Sequence, residues 1–279
     1  MPTIRQALAV TAVTASMAVS ACTDGSSQAN ESAHSANAAE QQVVPRLPIP
    51  TPEPPLGRDR LLIAALQAAS DFAAGIDDSA RQSELANKKF EFRIRFGCGD
   101  PSAGAPSSLG WALDEKRGTL KVRAAPTLSK TDDTPAAIAG EAYETVEGFW
   151  VRKPWMLSAT CPRPAEQAQV APADGEPQRP QPDQLVGIGQ FFTSTDPRTM
   201  RRSGRAYEAT KNLEAGDRPA QGFDLVLTGR LAALPDGRVI ACTGAPGDGR
   251  PACIVSVEFG KVSIERADTH EQMAQWGSG

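Results

Sequence analysis

Histidine is nearly missing. The 279 residues hold two, His34 and His270, and neither falls in the stretch that reads as folded. A body without histidine carries no Ser-His-Asp or Cys-His nucleophile and no His-ligated zinc or haem. Phosphate-cradling loops are absent too, with no GxxxxGK[ST] and no strand-linked GxGxxG. Charge of one sign is not in excess: the formal net charge is -4, so the basic surplus of a nucleic-acid binder is lacking and no nucleic-acid partner is expected. No apolar run reaches the roughly 18–20 residues that cross a bilayer as a helix. No fixed-period repeat recurs. The expectation is a protein with no cofactor, no metal and no catalytic motif.

What is present supports a core. Hydrophobic residues make up 40% and charged residues 22%. Pro (23) and Gly (24) are abundant and cluster, which separates ordered blocks from stretches too polar to collapse.

The chain opens with Arg5 and an uncharged Ala/Val-rich run from Ala7 to Val19, the make-up of an export signal. The run ends in Val19-Ser20-Ala21-Cys22, which resembles the lipobox of bacterial lipoproteins. The resemblance covers this segment alone. It implies a signal peptide over 1–21, a lipidated Cys22 as first mature residue, and a lipid-anchored protein of the cell envelope. The rival reading is ordinary secretion, since Val19 and Ala21 also suit a general signal peptidase; the cysteine at the first mature position separates the two. Thr23, rather than Asp, follows Cys22, which by resemblance favours the outer membrane over the inner, with the folded body facing the periplasm.

Residues 22–56 read as a tether. Ser, Ala, Asn, Gln and Glu dominate to Gln42, and prolines recur from Pro45 to Pro55, favouring extended geometry at about 3 Å per residue. His34 lies here and reads as solvated.

Order is expected from about residue 57. Leu62, Leu66, Ala69 and Phe72 recur at helical spacing, with Gly75 as a stop. The period then changes to two: Phe90, Phe92, Ile94 and Phe96 alternate with charged residues, which marks a half-buried strand. Further strands are expected at Leu109–Asp114, Thr119–Ala124, Gly148–Arg152 and Trp155–Cys161. Residues 162–183, rich in Pro, Gln and Ala, divide this helix-plus-hairpin half (57–161) from an antiparallel half (184–268). The second half carries strands near Gln184–Thr193, Ala206–Lys211, Phe223–Leu231, Arg238–Thr243, Ala252–Glu258 and Val262–Arg266, with turns at Pro235-Asp236-Gly237 and Gly260-Lys261. Residues 269–279 read as a frayed or weakly helical tail. The fold class is β-rich α+β, a mostly antiparallel sheet or small barrel or sandwich with one N-terminal helix.

Setting Cys22 aside leaves four cysteines, and four allow three pairings. Cys242 and Cys253 flank a loop between two strands, so a hairpin brings them together; Cys98 and Cys161 then pair by elimination. In an oxidising compartment such pairs persist. The close-spaced pairs of a zinc or redox site are lacking.

Three features carry chemistry. Glu141, Glu144 and Glu147 lie near Phe149-Trp150 and suit a carboxylate enzyme acting on glycans only if two of them face across a cleft; a solvated edge is the plainer reading. Trp150, Trp155 and Trp111 suit stacking on sugar rings if exposed, and core positions otherwise. Arg198, Arg201, Arg202 and Arg205 suit an anionic partner, or a solvated hairpin tip. The leading expectation is a non-catalytic binding or accessory protein contacting an envelope protein or cell-wall glycan. The rivals are a carboxylate-type enzyme and a small-ligand-binding barrel.

Overall fold

The computed structural model describes residues 53–102, 105–151, 156–161, 186–214, 216–245 and 249–277. The signal peptide, Cys22, most of the tether with His34, Trp155 and residues 162–183 lie outside the described residues. The helices are α1 (Arg58–Ala74), α2 (Ser79–Ser83) and α3 (Asp133–Ala139). The strands are β1 (Lys89–Phe96), β2 (Leu109–Asp114), β3 (Thr119–Ala124), β4 (Leu128–Ser129), β5 (Thr145–Val151), β6 (Val186–Phe192), β7 (Tyr207–Asn212), β8 (Phe223–Leu231), β9 (Ile240–Ala245), β10 (Gly249–Arg266) and β11 (Gln272–Gly277).

The α1 helix forms because Leu61, Leu62, Ala65, Ala68 and Ala69 fall on one buried stripe. It stops at Gly75, whose left-handed φ of 67° lets its N–H reach the carbonyls of Asp71 and Phe72. It packs over β9 and β10. Just beyond it, Gln82 of α2 accepts the backbone N–H groups of Val239 and Ile240 at 3.1 and 2.6 Å.

Among the described residues, eight strands make the main sheet, in the order β1-β8-β10-β6-β5-β4, with β9 and β11 also on β10. The expected alternation of β1 holds: Phe90, Phe92, Ile94 and Phe96 are all buried. β2, β3 and β7 form a separate antiparallel sheet. Its inner residues Trp111, Leu120, Val122 and Tyr207 join α1 and the main sheet's Phe92, Leu225, Leu227 and Val262 in one core. The architecture is therefore a β-rich α+β sandwich, not a closed barrel. A ligand lumen of the barrel kind has no place in it, because Leu225, Leu227 and Val255 fill the space between layers with 0% exposure. Strands from either side of residues 162–183 share both sheets: β1 pairs β8, β5 pairs β6, and β3 pairs β7.

Several sequence expectations need correction. Gly260-Lys261 is not a turn: the two strands expected there are one, the 18-residue β10, which bends at a bulge between Phe259 and Lys261. Gly229 makes the bend feasible, since a Cβ there would stand 1.9 Å from the carbonyl oxygen of Glu258. The expected tail is β11, paired to Lys261–Glu265 of β10. His270 is thus inside the ordered body, exposed at a φ of 58° in the tight turn between β10 and β11. No strand covers the described residues 156–161. Among the described residues two short helices join the expected one, and the β6–β10 pair is parallel.

Both expected disulfides are formed, Cys98–Cys161 at 2.09 Å and Cys242–Cys253 at 2.05 Å. The second joins directly opposed residues of β9 and β10.

Candidate functional site

The site arises where the main sheet forks. β8 and β9 line one side of β10 along its length, since the loop between them stays hydrogen-bonded to Ser256 through Ala232 and Val239. On the other side, β6 pairs only with Cys253–Ser256 and β11 only from Lys261 onward. At the gap, the side chain of Gln190 stands in for a strand and accepts the N–H of Phe259 at 3.1 Å.

The chain leaving β6 folds back beneath this fork. A 3-10 turn at Arg198–Met200 leads into the basic run. Arg201 is 9% exposed; its Nη1 donates to Glu144 at 2.9 Å, and its guanidinium lies 5.6 Å from the centre of the Phe192 ring. Ser203 and Gly204 adopt left-handed φ values of 53° and 75° and reverse the chain. Just before this reversal two consecutive N–H groups converge as an anion-binding nest, which Glu147 fills, accepting the N–H of Arg202 at 2.8 Å and of Ser203 at 2.7 Å.

Arg202 is held rigidly. Its Nε donates to the carbonyl of Arg205 at 3.0 Å and its Nη2 to that of Ala206 at 2.8 Å. Its guanidinium stacks 4.0 Å from the centre of the Tyr207 ring and 5.9 Å from that of Trp276. Tyr207 and Trp276 themselves meet edge to face at 5.0 Å. Burial pushes the Tyr207 phenol up to about 12; Glu147 adds to the rise and Arg202 opposes it.

These groups enclose a cavity of about 120 Å³. Its aromatic walls are Phe149, Phe192, Tyr207, Phe259 and Trp276, and Arg201, Arg202, Arg205 and Lys261 reach it. Among the described residues, Arg202, Arg205 and Lys261 form no ion pair. A larger open groove of about 660 Å³ shares Gln190, Met200 and Phe259 with the cavity as a common wall. Apolar Phe191, Ala232 and Val257 line it beside charged Lys89, Arg230 and Glu258. What such a site can do is hold an anionic group against cations. Among the described residues, no cluster of His, Cys, Asp and Glu is arranged for a metal ion.

The other residues singled out in the sequence fall differently. Glu141 is exposed in the turn after α3, while Glu144 and Glu147 are spent on holding the arginine loop. Glu144 accepts from Arg201, and Glu147 from the N–H groups of Arg202 and Ser203. Trp150 is not a glycan platform: it is 7% exposed and packs with Leu128, Val146 and Ile254 in a second small core beneath α3. Gly187 makes room for it, since a Cβ there would meet the Leu128 side chain at 2.5 Å and the Trp150 ring at 3.1 Å. Trp111 is core as well, its indole N–H donating to the carbonyl of Gly97 at 3.0 Å. Arg198 and Arg205 are exposed.

Sequence reasoning missed Tyr207, Lys261 and Trp276. The bulge at Lys261 read as a turn and Trp276 lay in the supposed tail. Only the tryptophan, an amphipathic aromatic near the chain end, offered a signal.

No protein-family model, curated protein or solved structure matches the chain.

Proposed function

We propose that this chain is a lipid-anchored protein of the bacterial cell envelope whose folded body is a non-catalytic binding module, engaging an envelope protein or cell-wall glycan through the fork and its adjoining groove. One observation carries the binding reading. Arg202, Arg205 and Lys261 reach one cavity without a carboxylate partner among the described residues, while the nearby carboxylates of Glu144 and Glu147 are committed to the loop that presents the arginines. A binding surface keeps its charges unspent; a carboxylate enzyme would leave its acids facing substrate.

The anchor rests on Val19-Ser20-Ala21-Cys22. Two disulfides support an oxidising compartment. Lipidation at Cys22 supplies the membrane as a partner, and the proline-rich stretch up to Pro55 supplies reach. Thr23 favours the outer membrane.

A photo-crosslinking residue placed at Met200, which is 40% exposed on the shared wall, tests the binding reading in living cells. The expected result is a discrete adduct with an envelope protein or with cell-wall glycan. The control position is Ile63, 67% exposed on α1. Equal or absent adducts at both positions would remove the reading.

A further inference from the structure

The geometry points to the fork as a phosphoryl subsite: the place where a phosphomonoester group of the ligand is seated, with the rest of that ligand lying in the adjoining groove. This deepens the binding reading and is independent of the lipid anchor.

Charge favours a dianion. Four cations, Arg201, Arg202, Arg205 and Lys261, share the cavity walls with one carboxylate, Glu147; Glu144 pairs with Arg201 from outside the cavity, which leaves two positive charges uncompensated. A phosphomonoester carries about -1.5 to -2 near neutral pH; a carboxylate carries one negative charge. Donors are also at hand. Arg202 uses Nε and Nη2 on carbonyls and Arg205 uses Nε on the carbonyl of Arg202 at 3.0 Å. Among the described residues, Nη1 of Arg202, both terminal nitrogens of Arg205 and Nζ of Lys261 make no side-chain hydrogen bond. They approach from two elements, the loop and β10, rather than from one plane, which suits a tetrahedral group.

The seat is prepared before the ligand arrives. Tyr207 and two carbonyls fix the Arg202 guanidinium, so little ordering entropy remains to be lost on binding. The rings of Phe149, Phe192, Phe259 and Trp276 line the same walls, while Arg205 and Lys261 stay open to solvent, so the attraction is that of a half-exposed site and weakens with salt.

The cavity of about 120 Å³ has room for a phosphoryl group. It shares Gln190, Met200 and Phe259 with the 660 Å³ groove, which gives the rest of the ester a place to lie, and the groove's mixed apolar and polar lining suits a sugar better than an acyl chain.

Calorimetric titration of the detergent-purified full chain tests this, with inorganic phosphate, glucose 1-phosphate, acetate, glucose and phosphatidylglycerol vesicles as separate probes. Both monoester-type phosphates should bind, the sugar phosphate more tightly; acetate, glucose and the diester vesicles should not. The pair Arg205→Gln and Lys261→Gln, both exposed residues, should weaken phosphate binding at least about tenfold, equivalent to about 1.4 kcal/mol, with Tm unchanged. Quenching of tryptophan fluorescence by phosphate should vanish in Trp276→Phe. Phosphate binding that is absent, no stronger than acetate, or indifferent to the double variant would overturn the subsite. A Met200 adduct surviving that result would leave the binding reading standing, so the two fail separately.

Discussion

The Glu147 carboxylate accepts the backbone N–H of Ser203 at 2.7 Å, and with the neighbouring N–H of Arg202 it closes the nest that shapes the arginine loop. Removing that charge should release the loop. Glu147→Gln is expected to cost about 1–3 kcal/mol, the usual penalty for weakening a charge-assisted bond that leaves a donor unmet. Trypsin should then cut after Arg202 or Arg205 faster than in the parent. Unchanged Tm and unchanged cleavage would show that the carboxylate has no such structural task and would return it to the list of candidate acids.

A second carboxylate anchors the other end of the main sheet. Asp224 is 2% exposed and accepts from Arg95 through two bonds of 2.6 and 3.2 Å. Breaking one partner strands the other charge in the interior, so Asp224→Ala should cost about 3–5 kcal/mol in a denaturant melt. Replacing both, Arg95→Met with Asp224→Leu, should recover most of that loss. A double variant as unstable as the single one would mean that the pair's value is not electrostatic.

Stability should fall at both pH extremes for nameable reasons. Hydrogen bonds from Arg266 hold Asp268 down at about 2, against an ordinary value of 3.8. The folded state binds that proton less readily than the unfolded chain. Its contribution is therefore complete above the ordinary value and is lost as pH falls through about 2. Tyr207 is the reverse case, raised from 10.0 to about 12 by burial. Its contribution is complete below 10.0 and is lost as pH rises toward about 12. Urea midpoints measured across pH should show both flanks. Asp268→Asn should flatten the acid one and Tyr207→Phe the alkaline one. Tyrosinate absorbance from Tyr207 near its ordinary pKa would contradict its burial.

Trp150 should behave as core. Trp150→Ala is expected to cost about 3–5 kcal/mol, the range for emptying a large aromatic site, because Leu128 and Ile254 lose their packing partner. A glycan-stacking residue on the surface would leave Tm within a degree or so of the parent.

How much of this could be read from residues alone follows from where the information lies. β1 was legible because one face is buried, so KFEFRIRF must alternate. α1 was legible because its apolar stripe runs for 17 residues and ends in a glycine. β11 was not, because QMAQWG carries neither β-branched residues nor alternation; Val262 and Ile264 of β10 hold it in place. β10 read as two strands because Gly260-Lys261 looks like a turn; the strand continues because β8 pairs with it on both sides of the bulge, which Gly229 leaves room for. α2 and α3 are too short to show a period. At the site, the arginines were visible as a local run. Their seat was not, because Tyr207, Lys261 and Trp276 come from three different strands and only the fork brings them to the loop.

The anchored binding role stands or falls most directly on the amino-terminal peptide of the protein extracted from its own cells. Mass spectrometry should find a chain beginning at Cys22, with a thioether-linked diacylglycerol on its sulfur and an acylated amine. A cleaved chain whose Cys22 bears no lipid would contradict the tethered role, and a chain that still begins at Met1 would contradict the placement in the envelope as well.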